Sequence, residues 1–339
     1  MIRVLIAAGV ALIVSVAIGP RFIEFLRRNE FGQHIREEGP KHHIAKQGTP
    51  TMGGLLILFA AAVGFLPVSH YSLRALTVLG TALACGAIGF LDDYIKLTHK
   101  RSLGLSGRWK LLLLALVTVA VGFVADHLHL ATDVLIPVIG VKVALSYAWY
   151  PFLFLVIGGA SNGTNLADGV DGLLGGTAII ALFTFTAMNV VSYVRSGQVG
   201  HRNLTSLDLA IVGAALIGAA VGFLWFNAFP AEMIMGDTGS MAFGGALAAF
   251  AIMMKVEVLL LLLGGIFVIE ALSVMIQVFS YKRFGKRVFL MAPIHHHFEM
   301  KAWSETKIMV RFWIVAGLLC AAGFALYYRY YFPFAHGHG

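Results

Sequence analysis

Apolar residues gather along the chain in ten runs, at 3–24, 52–68, 74–91, 109–126, 147–160, 172–194, 208–226, 239–254, 256–281 and 306–332, each parted from the next by polar or turn-rich sequence. Most runs come close to the length of about 20 residues that an α-helix needs to cross the hydrocarbon of a bilayer. The pattern predicts an all-α polytopic membrane protein of about ten transmembrane helices, organised as a single integral membrane domain over residues 1–339. Arg3 ahead of the first run resembles the start of a signal peptide. That run is long, however, lacks a small-residue cleavage site and is followed by Arg21, Arg27 and Arg28, so we read it as a retained helix. Between the fourth and fifth runs, β-branched residues surround Pro137 and Gly140, which predicts a short β-hairpin on the outer surface. Paired glycines at 53–54, 158–159, 175–176, 244–245 and 264–265 are expected to let helices approach closely.

Composition fixes the class. Of 339 residues, 59% are apolar and 12% charged, about half the charged share of a soluble domain, and the mean hydropathy is +0.83. An aqueous globule could not cover that much apolar surface, which excludes a cytosolic enzyme, a disordered chain and a fibrous protein. The formal net charge of +8 belongs to membrane topology, and no nucleic-acid partner is expected. Ten spans put both termini on one side. The odd-numbered connections then hold 17 of the 25 Lys and Arg residues, so they are expected in the cytoplasm with both termini outside. Cys85 and Cys320 both lie within apolar runs, which leaves no disulfide framework and no cysteine metal site.

The same connections concentrate the candidate chemistry, with 12 of the 17 acids. Thr49-Pro-Thr51-Met-Gly-Gly closes the first. Asp92-Asp93 ends the third span, where a helix C-terminus disfavours carboxylates unless a cation compensates, and Lys96 lies one turn on. In the third connection, Asn162, Asn165, Asp168 and Asp171 recur every third residue, which would align them along one side of a helix or tight turn. Amides beside carboxylates suit a ring with both donors and acceptors, such as a nucleobase or sugar. The fourth carries Asn227 and then Gly236-Asp237-Thr238-Gly239-Ser240. Read alone, Asp237 there is a helix N-cap; read with its hydroxyl neighbours, it is an oxygen-rich point suited to Mg²⁺. In the fifth, His295-His296-His297 lacks the spacing for zinc and lies near Lys282, Arg283, Lys286 and Arg287, which suits phosphate.

The blocks at 48–54 (GTPTMGG), 92–96 (DDYIK), 162–173 (NGTNLADGVDGL), 226–240 (FNAFPAEMIMGDTGS) and 291–299 (MAPIHHHFE) closely resemble the phospho-N-acetylmuramoyl-pentapeptide-transferases. These form a branch of the polyprenyl-phosphate N-acetylhexosamine-1-phosphate transferase superfamily. The resemblance runs over about residues 20–325, nearly the whole chain. It implies transfer of phospho-MurNAc-pentapeptide from UDP-MurNAc-pentapeptide to undecaprenyl phosphate, giving lipid I and UMP with Mg²⁺. It also implies ten transmembrane helices in the bacterial inner membrane, a cytoplasmic active site, an external hairpin and a homodimer. Carried over position by position, it gives Asp92, Asp93, Asp237 and His295, His296 and His297 as catalytic residues, with Asp237 as the Mg²⁺ ligand. Lys46, Thr51, Lys96, Asn162, Asn165, Asp168, Asp171 and Asn227 match substrate-pocket positions. One position departs: Ile234 stands where family members often carry a phenylalanine able to stack on uracil. Two rivals are a UDP-GlcNAc:polyprenyl-phosphate GlcNAc-1-phosphate transferase, expected to have a different histidine loop, and a transporter. A transporter would place ionisable groups near the midplane, where this sequence puts only Glu270 and Arg311.

Overall fold

The structure, a computed structural model, describes residues 1–29, 32, 48–99, 103–197 and 202–331. Its helices are α1 (Ile2–Arg28), α2 (Gly54–Phe65), α3 (Leu73–Thr98), α4 (Gly107–His127), α5 (Trp149–Ala167), α6 (Leu173–Arg195), α7 (Leu204–Asn227), α8 (Gly236–Met253), α9 (Leu260–Leu263), α10 (Gly265–Phe284), α11 (Ile294–Glu299) and α12 (Glu305–Leu326). Every one of the ten apolar runs falls on helix. Seven helices among the described residues are long and apolar enough to cross a membrane: α1, α3, α4, α6, α7, α10 and α12. The other three runs are shorter or more polar, because α2 has only 12 residues and α5 and α8 carry the polar residues of the third and fourth connections. The expected hairpin forms between β1 (Asp133–Ile136) and β2 (Val141–Ala144), antiparallel with Val134 opposite Val143.

Helix ends alternate between two poles. At one pole α3 ends, α4 begins and α8 begins, since Lys110 on α4 meets Asp92 and the first turn of α8 meets Asp93. The opposite pole gathers the beginnings of α1, α3 and α7 and the end of α8. There Arg3 Nη1 meets His70 Nε2 at 2.8 Å, Ser69 Oγ donates to Asp208 Oδ1 at 2.9 Å, and Arg74 donates to the Met253 carbonyl. The hairpin lies at that opposite pole too, at the far end of α4, where Tyr331 OH donates to the Leu135 carbonyl at 3.0 Å. The 21 residues of α4 set the poles about 30 Å apart.

α8 is the central helix, buried at every residue from Thr238 to Met253, and it packs on α2, α3, α5 and α6. Its Gly and Ala content makes this feasible. With little hydrophobic drive between helices in lipid, association depends on close backbone approach, which small residues permit. A Cβ on Gly244 would overlap Ser161 of α5, one on Gly245 would meet Cys85 of α3, and one on Gly54 of α2 would overlap Gly239. Gly158 and Gly159 do not serve this way, since a side chain at either would find open space. Two further expectations change. The ninth run is not one helix: a 3-10 turn at Glu257–Leu259 and the short α9 precede a break at Gly264, where paired glycines weaken helical continuity. The fifth run extends past residue 160, because α5 continues to Ala167 and makes Asn162 and Asn165 helical.

Candidate active site

Asp92 and Asp93 on the last turns of α3 meet Asp237 on the first turn of α8, with one carboxylate oxygen of each within 4.8 Å of the others. Such like charges in a buried place need compensation, and two lysines supply it. Lys96 Nζ lies 2.6 Å from Asp92 Oδ2 and 3.1 Å from Asp237 Oδ1. Lys110 Nζ lies 3.1 Å from Asp92 Oδ1 and 2.8 Å from Asp237 Oδ2. The expected one-turn pairing of Lys96 with Asp92 is present; Lys110 was not among the residues the sequence singled out.

The N-cap reading of Asp237 is corrected. Met235 occupies the cap position, and Asp237 sits in the first turn. The capping carboxylate comes from another helix: Asp93 Oδ1 accepts from the Asp237 N–H at 3.1 Å, and its Oδ2 accepts from the Thr238 N–H at 2.9 Å and the Thr238 hydroxyl at 2.7 Å. This places negative charge at the positive end of α8 and leaves the Asp237 carboxylate directed at the lysines. Asp92 accepts the Leu105 N–H at 2.7 Å. The chain can close over it there because Gly104 has no Cβ, which would stand 2.5 Å from the carboxylate. Gly236 has φ +73°, a left-handed backbone favouring glycine, and a Cβ there would lie 2.9 Å from Thr51 Oγ1 and 2.7 Å from Asp93 Oδ2. Thr51 therefore borders the acidic cluster.

The remaining stretches fasten onto these. Gly53 and Gly54 N–H groups donate to the carbonyls of Ile234 and Met235, both at 3.0 Å, and the Ile234 N–H donates to the Pro50 carbonyl. Asn165 Nδ2 donates to Ser240 Oγ at 3.0 Å. Asn227 accepts the Gly172 N–H at Oδ1 and donates from Nδ2 to the Met233 carbonyl, while Asp171 Oδ2 accepts the Ala231 N–H at 3.0 Å. The expected alignment of Asn162, Asn165, Asp168 and Asp171 along one side does not extend across all four. α5 ends at Ala167 with Asp168 as its C-cap, so the last two lie in the turn. Asn162 donates to the Gly158 carbonyl of its own helix. Lys46 lies outside the described residues. A cavity of about 620 Å³ opens where these stretches meet, lined by Thr49, Asp171, Ile234, Glu299, Trp303 and Glu305 among others.

The three histidines on α11 have three different partners. His295, buried, places Nδ1 3.1 Å from Oε1 of Glu270 on α10. His296 bonds through Nδ1 to Glu299, a lining residue of the cavity. His297 Nδ1 accepts the Leu290 N–H at 3.1 Å, so its proton sits on Nε2. Burial, and after it the Lys301 charge, hold the His297 pKa below the usual imidazole range. His295 reaches the α5–α6 turn, since a Cβ on Gly169 would overlap its Nε2. Glu270, Glu299 and Trp303 were not among the residues the sequence singled out; Glu299 stood at the end of a quoted block, and Glu270 was visible only as a carboxylate within a span.

Comparison with known proteins finds matches over most of the chain. The glycosyl transferase family 4 model matches residues 75–255, and a phospho-N-acetylmuramoyl-pentapeptide-transferase signature matches residues 46–58. Proteins named phospho-N-acetylmuramoyl-pentapeptide-transferase are similar over nearly full length. That of Bacillus anthracis is 46% identical over 94% of this chain and 96% of its own. That of Rubrobacter xylanophilus is 44% identical over 97% and 98%, and that of Halalkalibacterium halodurans 46% over 91% and 92%. With relatives of that name 44–46% identical over at least 91% of its length, the chain belongs to the phospho-N-acetylmuramoyl-pentapeptide-transferase family.

Proposed function

We propose that this protein transfers phospho-MurNAc-pentapeptide from UDP-MurNAc-pentapeptide to undecaprenyl phosphate, releasing UMP and forming lipid I for peptidoglycan. The observation that carries the reading is the cluster of Asp92, Asp93 and Asp237 with Lys96 and Lys110, held at one pole of a membrane bundle in a chain of this family. A lipid phosphate lies at headgroup depth while a nucleotide sugar arrives from water, so catalytic groups belong at helix ends on one face. The basic bias of the sequence supports our reading of that face as cytoplasmic, in a bacterial inner membrane that the chain crosses ten times with both termini outside. We extend the family's homodimer to this chain as part of the same proposal.

The donor set fits Mg²⁺, a hard cation that takes carboxylate oxygens, water and substrate phosphate. Asp237 and Asp92 would hold it, because both oxygens of Asp93 are already engaged in capping α8. When bound, Mg²⁺ neutralises charge on the diphosphate. The lysines that now neutralise Asp92 and Asp237 are then available to the phosphates, with ammonium groups partly buried and held at the site. In our reading, an oxygen of undecaprenyl phosphate attacks the β-phosphorus in line. The bond from that phosphorus to the oxygen bridging the two phosphates breaks, and UMP leaves with that oxygen. Lys96 and Lys110 stabilise the charge that develops on it. Thr51, Asn162, Asn165, Asp168, Asp171 and Asn227, with Lys46, serve the nucleotide-sugar pocket, and the histidine helix holds phosphate beside it.

Purified protein in detergent with Mg²⁺, undecaprenyl phosphate and UDP-MurNAc-pentapeptide is expected to release UMP in step with lipid product. No release, or turnover of UDP-GlcNAc in its place, would contradict the assignment. Trapping a phosphorylated Asp92 or Asp93 peptide with nucleotide sugar alone would replace the single displacement by a two-step route.

A further inference from the structure

Glu270 has no exposed surface and lies on α10 beside the buried Ile266 and Phe267. A carboxylate in an apolar span persists only with a partner and marks function more often than packing. Its partner is His295, equally buried, with Oε1 3.1 Å from Nδ1. Two atoms of the pair, Glu270 Oε2 and His295 Nε2, have no hydrogen-bond partner among the described residues. The Nε2 edge rests against Gly169, the one residue type whose backbone leaves room for it. The ring meets His296 at a steep angle, with centroids 4.1 Å apart and planes at 61°. His296 is the partly exposed member of the pair, and its Nδ1 is held by Glu299 at the cavity wall.

From this geometry we propose that Glu270 is a positioning residue for the histidine helix. Its carboxylate accepts a hydrogen bond donated by the Nδ1–H of His295, because which nitrogen of an imidazole bears the proton is set by the bonds the two make. His295 is thereby fixed as the Nδ1–H tautomer, with the Nε2 lone pair turned to the α5–α6 turn. Held on one side by Glu270 and on the other by Gly169, the His295 ring serves as the rigid back wall against which His296 is oriented. The reactants meet His296; Glu270 and His295 act through it. The kinetic part of this inference rests on the transferase reading, whereas the tautomer does not.

The test uses full-length protein carrying ¹⁵N-histidine, with His295→Asn to assign the signal and Glu270→Gln as the probe. A glutamine nearly keeps the shape but, able to donate as well as accept, no longer dictates the tautomer. Wild-type His295 is expected to show a protonated Nδ1 and bare Nε2, and Glu270→Gln a mixture of both forms. Turnover in that variant should fall about 10- to 100-fold in kcat, with KM for the nucleotide sugar nearly unchanged. Glu270→Asp should recover part of the loss. An unprotonated Nδ1 in the wild type overturns the proposal even if the variant does not fold, as does a Glu270→Gln enzyme within about twofold of wild-type kcat. If the wild type itself releases no UMP, the transferase reading fails and the spectra still judge the pair.

Discussion

Lys110 stands 3.1 Å from Asp92 and 2.8 Å from Asp237, so it shares with Lys96 the neutralisation of the acidic cluster. Replacing it by methionine keeps the stem and removes the charge. Turnover is expected to drop about 10²-fold, with Lys110→Arg retaining more; steady-state UMP release measures both. A second residue answers to pH. His297 is held neutral, its Nδ1 accepting the Leu290 N–H. Its folded pKa is thus below the unfolded value of about 6.5, and the unfolded chain takes up a proton that the folded chain resists. Stability from this group is complete above that value and is lost as pH falls toward the folded pKa. Melting temperatures followed from about pH 7.5 to about 5.5 should decline less steeply in His297→Gln than in the wild type. Asp92, Asp93 and Asp237 stood out in the sequence as acids at span ends, and the structure brings them together. Lys110 and Glu270 did not stand out, because their meaning lies in partners 127 and 25 residues away.

Among the elements, the start of α8 is the joint on which the site depends. Its first N–H groups are satisfied by Asp93 of α3, and a Cβ on Gly89 of α3 would overlap the Asp237 carbonyl. The two helices therefore approach backbone to backbone, with a carboxylate completing the contact. Asp93→Ala removes the cap and should lower stability by about 1–2 kcal/mol, read as a lower midpoint of thermal unfolding in detergent, alongside any loss of activity. A variant as stable as wild type would leave Asp93 without this role. The apolar runs located the helices because hydropathy is a local property. The capping of one helix by a side chain of another is tertiary, which is why the cap at Gly236-Asp237 was assigned to the wrong carboxylate. The extension of α5 through Asn162 and Asn165 was hidden for a related reason: both amides make helix-compatible bonds, one to Gly158 and one to Ser240.

Across the whole molecule, the gathering of helix ends at one pole turns a linear series of motifs into one site. The blocks at 48–54, 92–96, 162–173, 226–240 and 291–299 are far apart in the chain, yet each falls where a helix starts or stops at the same pole. Hydrogen bonds from Gly53 to Ile234, Asp237 to Asp93 and Asn165 to Ser240 join the first four, and His295 of the fifth lies against Gly169 of the third. The hairpin and the Asp208 hydrogen-bond cluster occupy the opposite pole. Sidedness follows from the same gathering of helix ends and is directly measurable. Single cysteines are introduced at exposed positions near the site, Leu103 and Met300, and at the other pole, Tyr147. They are then probed with a membrane-impermeant thiol reagent in sealed, right-side-out vesicles and after lysis. The account predicts that Tyr147→Cys reacts before lysis and that Leu103→Cys and Met300→Cys react only after it. Labelling of Leu103→Cys and Met300→Cys on opposite sides would contradict it, because the acidic cluster and the histidine helix could not then serve one pair of reactants.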